Sequence, residues 1–111
     1  MVKLILLLRP GVAEKGEAYN DFLMKLEALP GLRRKAVSNV YGSMRLPAPF
    51  GTVVEAYFDS REAMEAALVS QTGVEAGHAL LDLTGQAVIA LYADTLEESY
   101  PEPLEEGKAG S

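Results

Sequence analysis

Glu55 is the residue whose placement bears most directly on chemistry. Along Thr52 to Phe58 the side chains fall into two rows, Val54, Ala56 and Phe58 against Val53, Glu55 and Tyr57, because successive residues of a strand point to opposite faces. The first row is wholly apolar and suits a helix-covered core. The second row puts a carboxylate on the other sheet face. A carboxylate removed from water must be paired, solvated or protonated, and one poised beside a pocket can act as a general acid or base. An ion pair with a nearby Lys or Arg is the structural alternative. Tyr57 shares the row: its phenol could donate to a carbonyl or aromatic ligand, and its ring is equally a good packing group in a sheet. Tyr41 offers the same choice from an edge strand.

His78 is the single histidine. It follows Val74 by four residues and precedes Leu81 by three, which places it on or beside the apolar stripe of a helix. If the fold brought it to Glu55 the two could form an acid–base pair. One histidine and no cysteine cannot build a multi-His or Cys-based metal site, and thiolate chemistry is excluded. No nucleotide fingerprint, Walker A loop, Ser-His-Asp spacing or EF-hand loop is present. No cofactor and no metal are expected. The run Arg33-Arg34-Lys35 could rim an anion site, while charges on an edge strand more commonly block strand addition by another chain. Met44, Leu46 and Phe50 lie among the prolines of a long loop that could fold over a pocket mouth.

The elements that must position these residues follow from the spacing of apolar side chains. A chain of 111 residues is the size of one domain with a real core. Val2 to Arg9 is an apolar run closed by Pro10-Gly11, the length of a buried strand. From Glu14 to Leu29, residues Tyr19, Phe22, Leu23, Leu26 and Leu29 recur at helical spacing, and Pro30-Gly31 ends the helix. Residues 33 to 41 read as a polar edge strand, Gly42 to Gly51 as a loop, and Thr52 to Phe58 as a third strand. Asp59 with Glu62 has capping-box spacing, predicting a helix through Met64, Ala67 and Leu68. Gln71-Thr72-Gly73 should interrupt it before Val74 to Leu83 resumes. Gln86 to Asp94 is a fourth strand. The order is βαββαβ, the split β-α-β or ferredoxin-like arrangement: an α+β fold with a four-stranded antiparallel sheet, helices on one face, and strands one and three central. The domain spans residues 1–99, and residues 100–111 form an acidic, flexible tail.

The formal charge is −6, but residues 97–111 carry five glutamates and one lysine, which leaves −2 on the body. A nearly balanced body has no basic stripe for a phosphate backbone, so nucleic acid is not an expected partner. Leu4 to Leu8 is too short to span a membrane, and no signal-peptide cleavage pattern follows it. A cytoplasmic protein with no membrane partner is expected.

The second sheet face needs cover. Strand one places Leu4, Leu6 and Leu8 on one row and Ile5 and Leu7 on the other, and strand four is apolar on both rows. Exposing Ile5, Leu7, Val53, Tyr57 and a row of strand four would leave a patch of several hundred Å² (roughly the upper range for soluble monomers). A homodimer through sheet faces is therefore expected. Ile5, Leu7, Tyr41, Phe50 and Val53 would line the enclosed pocket.

The opening Lys3-Leu-Ile-Leu-Leu-Leu-Arg9-Pro10, the segment Pro30-Gly31-Leu32-Arg33, the turn Glu55-Ala-Tyr57-Phe58-Asp59-Ser60 into Glu62-Ala63, and Ser70-Gln-Thr-Gly73 resemble the EthD family of dimeric α/β-barrel proteins. The resemblance spans residues 2 to 97. It implies a dimer whose two sheets enclose pockets, in a family linked with degradation pathways and small organic compounds. Members of the family carry a histidine late in the first helix, whereas Phe22 to Leu29 here has none. Two functional readings follow. One is a homodimer binding a small, largely apolar, oxygenated compound, with cofactor-free proton transfer by Glu55 and Tyr57. The other is a non-enzymatic dimeric accessory or ligand-sensing module. Haem chemistry ranks below both, because His78 lies on a helix stripe.

Overall fold

The structure, a computed structural model, describes residues 1–44 and 46–102. Among these residues four strands and three α-helices form in the order β1 (Val2–Leu8), α1 (Glu17–Glu27), β2 (Arg34–Asn39), β3 (Thr52–Phe58), α2 (Arg61–Val69), α3 (Gln71–Thr84) and β4 (Val88–Asp94). The sheet order is β2-β3-β1-β4, and every neighbouring pair is antiparallel. β1 and β3, the strands whose helix-facing rows are fully buried, occupy the centre, where both edges of each are hydrogen-bonded. The part of the expected tail from residue 103 onward lies outside the described residues.

The core forms where the row Leu4, Leu6, Leu8 of β1 and the row Val54, Ala56, Phe58 of β3 meet Phe22 and Leu26 of α1, Met64 and Ala67 of α2 and Leu83 of α3. Leu8 and Phe58 are completely buried. The helices therefore cover one sheet face, as the strand-three rows predict. The opposite face is left to Lys3, Ile5 and Leu7 with Val53, Glu55 and Tyr57.

Four local expectations are corrected. The first helix begins at Glu17 rather than Glu14, because Gly16 at φ 62° separates it from a short 3-10 turn over Val12–Glu14. The second helix is capped by Ser60, whose hydroxyl accepts from the Ala63 amide at 3.1 Å, and not by an Asp59–Glu62 box. Asp59 instead lies 3.4 Å from Arg33. The interruption falls at Ser70, one residue before the expected Gln71-Thr72-Gly73 break, and those three residues form the first turn of α3. Ser70 serves both helices: its Oγ accepts from the Gly73 amide at 3.1 Å and donates to the Ala67 carbonyl at 2.6 Å. A hydroxyl can do both because it carries a donor and two lone pairs. At the far end of α3, Gly85 and Gln86 both take positive φ, so β4 starts at Val88 instead of Gln86.

Candidate functional site: an open sheet face and two hollows

The register defines the uncovered face directly, since residues opposite one another on antiparallel strands share a face. At one end Arg34, Tyr57, Lys3 and Ala93 lie side by side across the sheet. The middle row is Ala36, Glu55, Ile5 and Leu91, and the far row is Ser38, Val53, Leu7 and Ile89. Among the described residues nothing covers the β4 side of this face: Ile89 is 45% exposed and Leu91 46%. One end is charged, and beyond it only Glu55 and Ser38 interrupt an apolar surface.

The polar end is internally neutralised. Lys3 Nζ donates to Glu55 Oε2 at 2.7 Å, and both side chains are only about one-fifth exposed. Arg34 Nη2 donates to Glu97 Oε1 at 2.6 Å. Between these pairs, the Tyr57 ring has Arg34 Cζ 4.0 Å from its centroid and Lys3 Nζ at 5.4 Å, a double cation–π arrangement. That flanking explains why Tyr57 is buried on a face that no helix covers. The Glu55 hydrogen bond, more than any other influence, raises the Lys3 ammonium above its ordinary 10.5, with partial burial opposing. The ammonium is thus fixed in its charged form.

The sequence-derived candidates do not converge on one point. Glu55 and Tyr57 are brought together with Lys3, and Ile5, Leu7 and Val53 adjoin them on the same face. Tyr41 and Phe50 belong to the β2–β3 loop at the Leu8 end of the sheet, where the Gly51 amide donates to the Leu8 carbonyl at 2.9 Å. Tyr41, Met44 and Leu46 stand largely in solvent, and Phe50 is half-buried. His78 is not brought to Glu55. It is exposed on α3, beside a hollow of about 520 Å³ shared with Lys15, Asp21, Lys25, Glu75 and Asp82, and the whole sheet separates it from the Glu55 face. The reason is helical phase: Ala76 and Leu83 take the inward positions of α3. Arg33, Arg34 and Lys35 are each occupied, by Asp59, Glu97 and Glu27, which makes the run a set of edge-strand ion pairs. Among the described residues no group of three or more His, Cys, Asp or Glu side chains is placed to hold a metal. No helix there is long and apolar enough to cross a membrane.

A second hollow, of about 550 Å³, lies on the helix side between α2 and the edge strand β4. Its walls include Val2, Met64, Leu68, Val69 and the Tyr92 ring, and its rim carries Arg61, Glu65 and Asp94. Arg61 grips Asp94 through two hydrogen bonds, Nε to Oδ1 at 3.1 Å and Nη2 to Oδ2. That grip holds the Asp94 carboxyl below its ordinary 3.8. The sequence signal for this site is the double apolar row of β4 together with Met64 and Leu68, four apart on one face of α2. Neither by itself says that α2 stops short of β4.

No protein-family model matches the chain, and no curated protein matches it. Solved structures do. An EthD family protein from Bacillus halodurans has 24% sequence identity and a TM-score of 0.78, the match covering 86% of this chain and 99% of the other. A dimeric ferredoxin-like protein of unknown function from Jannaschia has 15% identity and a TM-score of 0.68 over 85% of this chain and 98% of its own. SnoaB, a cofactor-independent oxygenase from Streptomyces nogalater, has 16% identity and a TM-score of 0.61 over 91% of this chain and 97% of its own. The resemblance legible in the sequence is thus met by a structure of the EthD family, and the chain has the ferredoxin-like α+β fold that these proteins share.

Proposed function

We propose that two copies of this chain associate through their open sheet faces and that the assembly binds a small, largely apolar, oxygenated organic compound. The open face carries this reading. It joins partly buried Ile5, Leu7 and Val53 to exposed Ile89 and Leu91, and its cations and anions already sit in pairs. Covering such a face buries apolar area without stranding a charge, which is the condition under which burial of ion pairs is tolerated. At about 25 cal/mol per Å², covering several hundred Å² contributes on the order of 10 kcal/mol before association costs. The Jannaschia structure of the same fold is of a dimeric protein, which supports the arrangement.

Within that assembly Glu55 is the candidate base. Its carboxylate would take a proton from carbon adjacent to a carbonyl, with Tyr57 donating a hydrogen bond to the carbonyl oxygen and the proton later returned from Glu55. SnoaB works without a cofactor on the same fold, in keeping with chemistry done by side chains alone. The accessory-module reading rests on a different observation: Glu55 and Tyr57 both already have cationic partners, as groups with a structural task would.

Native mass spectrometry of the purified protein tests the proposal. A dimer carrying additional small-molecule mass is the expected result. A clean dimer with no turnover of candidate carbonyl compounds favours the accessory module, and turnover left unaltered by Glu55→Gln excludes Glu55 as the base. A monomer at micromolar concentration overturns the assembly.

A further inference from the structure

The helical layer does not cover the whole sheet. The core is built from β1, β3 and the three helices, and no β4 residue is among its buried members. On β4 the helix-facing row is Val88, Ala90, Tyr92 and Asp94, opposite Leu8, Leu6, Leu4 and Val2. Tyr92 in that row remains 66% exposed, and Val69 at the end of α2 is 78% exposed. A β-strand side that is apolar, unpaired with a helix and walled by one is a cleft rather than a flat surface. Its volume of about 550 Å³ lies within the range of small-molecule sites, roughly 300–1,000 Å³.

We infer that this cleft between α2 and β4 is a binding site, within a single chain, for a neutral apolar molecule bearing an oxygen acceptor, such as an aryl ketone or a long-chain alcohol. The walls select an apolar body: Met64 and Leu68 adapt to shape, and the Tyr92 ring offers a face for offset stacking. The rim disfavours anions: its two carboxylates, Asp94 and Glu65, outnumber its one guanidinium, Arg61. A neutral molecule meets no such repulsion. Asp94 occupies Nε and Nη2 of Arg61, and a guanidinium carries five N–H donors, so Nη1 keeps donors that Asp94 does not use and that a ketone or hydroxyl oxygen could accept. The Arg61–Asp94 pair thereby holds the donor in one orientation and cancels its charge toward the ligand.

This site is independent of the open sheet face, and one experiment separates the two. The probe is Prodan, a neutral naphthyl ketone whose emission moves to the blue in apolar surroundings, titrated with the full chain. Saturable binding at one probe per chain is expected. Leu68→Asp, which puts a charge on the wall, and Arg61→Leu, which removes the donor, should each weaken it roughly tenfold or more, with circular dichroism confirming that the variants are folded. Anilinonaphthalene sulfonate, an anion of similar size, should bind roughly tenfold less tightly than Prodan. Ile89→Asp, on the opposite face, should retain Prodan binding even if it dissociates a dimer. In the Ile89→Asp background, which removes the open-face pocket, Prodan binding that survives Leu68→Asp and Arg61→Leu overturns the assignment, as does loss of all Prodan binding in Ile89→Asp alone or the absence of saturable binding to the parent chain.

Discussion

Gly73 is the position where the smallest change should have the largest consequence. An added methyl there would lie 2.2 Å from the Ala67 carbonyl oxygen, 2.5 Å from that of Leu68 and 2.7 Å from the Leu68 carbonyl carbon, all of them backbone atoms. Side chains cannot rotate out of the way. Restoring an ordinary contact means parting the end of α2 from the start of α3 by roughly 1 Å, which a close-packed interior resists. It also strains the Ser70 hydroxyl between its two helices. We expect Gly73→Ala to destabilise by about 3 kcal/mol, the upper part of the range for overpacking. For 111 residues, an unfolding entropy of about 0.23 kcal/mol/K converts that to a fall in Tm of about 13 °C. Gly77 supplies the control. It lies in the same helix, and an added methyl meets nothing within 4 Å, so Gly77→Ala should gain helix propensity and stabilise by about 0.5–1 kcal/mol. Urea unfolding followed by far-ultraviolet circular dichroism, at one protein concentration, measures both. Gly73, in the first turn, has no more propensity to gain than Gly77, so a loss at Gly73 against a gain at Gly77 reports the contact. A Gly73→Ala variant within about 1 kcal/mol of the parent would refute the corner geometry, and with it the placement of Leu68 on the cleft wall facing β4.

Three further outcomes are expected. Ser70→Ala removes one hydroxyl that serves two helix ends and should cost about 1–2 kcal/mol in the same urea assay, more than a single exposed cap. The Lys3–Glu55 pair should show a coupling of about 1 kcal/mol in a double-mutant cycle with Lys3→Met and Glu55→Gln. Because the folded state raises the Lys3 pKa above 10.5, that contribution is fully present below 10.5 and is lost as pH rises through the raised value; unfolding curves across the alkaline range, compared with those of Lys3→Met, check the sign. Leu91→Asp places an unpaired carboxylate in the middle of the open face and should shift a dimer to monomer in light scattering at micromolar concentration, leaving the helix-side core and the circular dichroism spectrum intact.

Much of the frame was legible before any coordinates. The alternation of Val54, Ala56 and Phe58 with Val53, Glu55 and Tyr57 assigned both faces of β3, because strand geometry leaves a side chain only two directions. The βαββαβ order gave the fold and put β1 and β3 at the centre, with their apolar core rows in agreement, and Pro and Gly marked the loops. The EthD-like segments implied a dimer that encloses pockets. Boundaries were less legible where a hydroxyl or a positive φ decides them. Asp59 and Ser60 are both good caps by type, and only the chain path shows that Ser60 reaches the Ala63 amide while Asp59 turns to Arg33.

The site divides along the same line. That Glu55 and Tyr57 share a sheet face is a property of sequence, since it depends on parity alone. Which cation meets Glu55 is not, because Lys3 is 52 residues away and reaches it only through the β1–β3 register. Likewise, the apolar character of Met64, Leu68 and Tyr92 is written in the chain, but whether they form core or cleft depends on where α2 rests across the sheet. His78 shows the limit most plainly: its spacing put it near an apolar stripe, and the helix phase, set by Ala76 and Leu83 packing inward, turned it to the surface on the side away from Glu55. Local periodicity determines which face a residue occupies within its own element. Only the packing of elements against one another decides what that face meets, because those contacts join residues far apart in the chain.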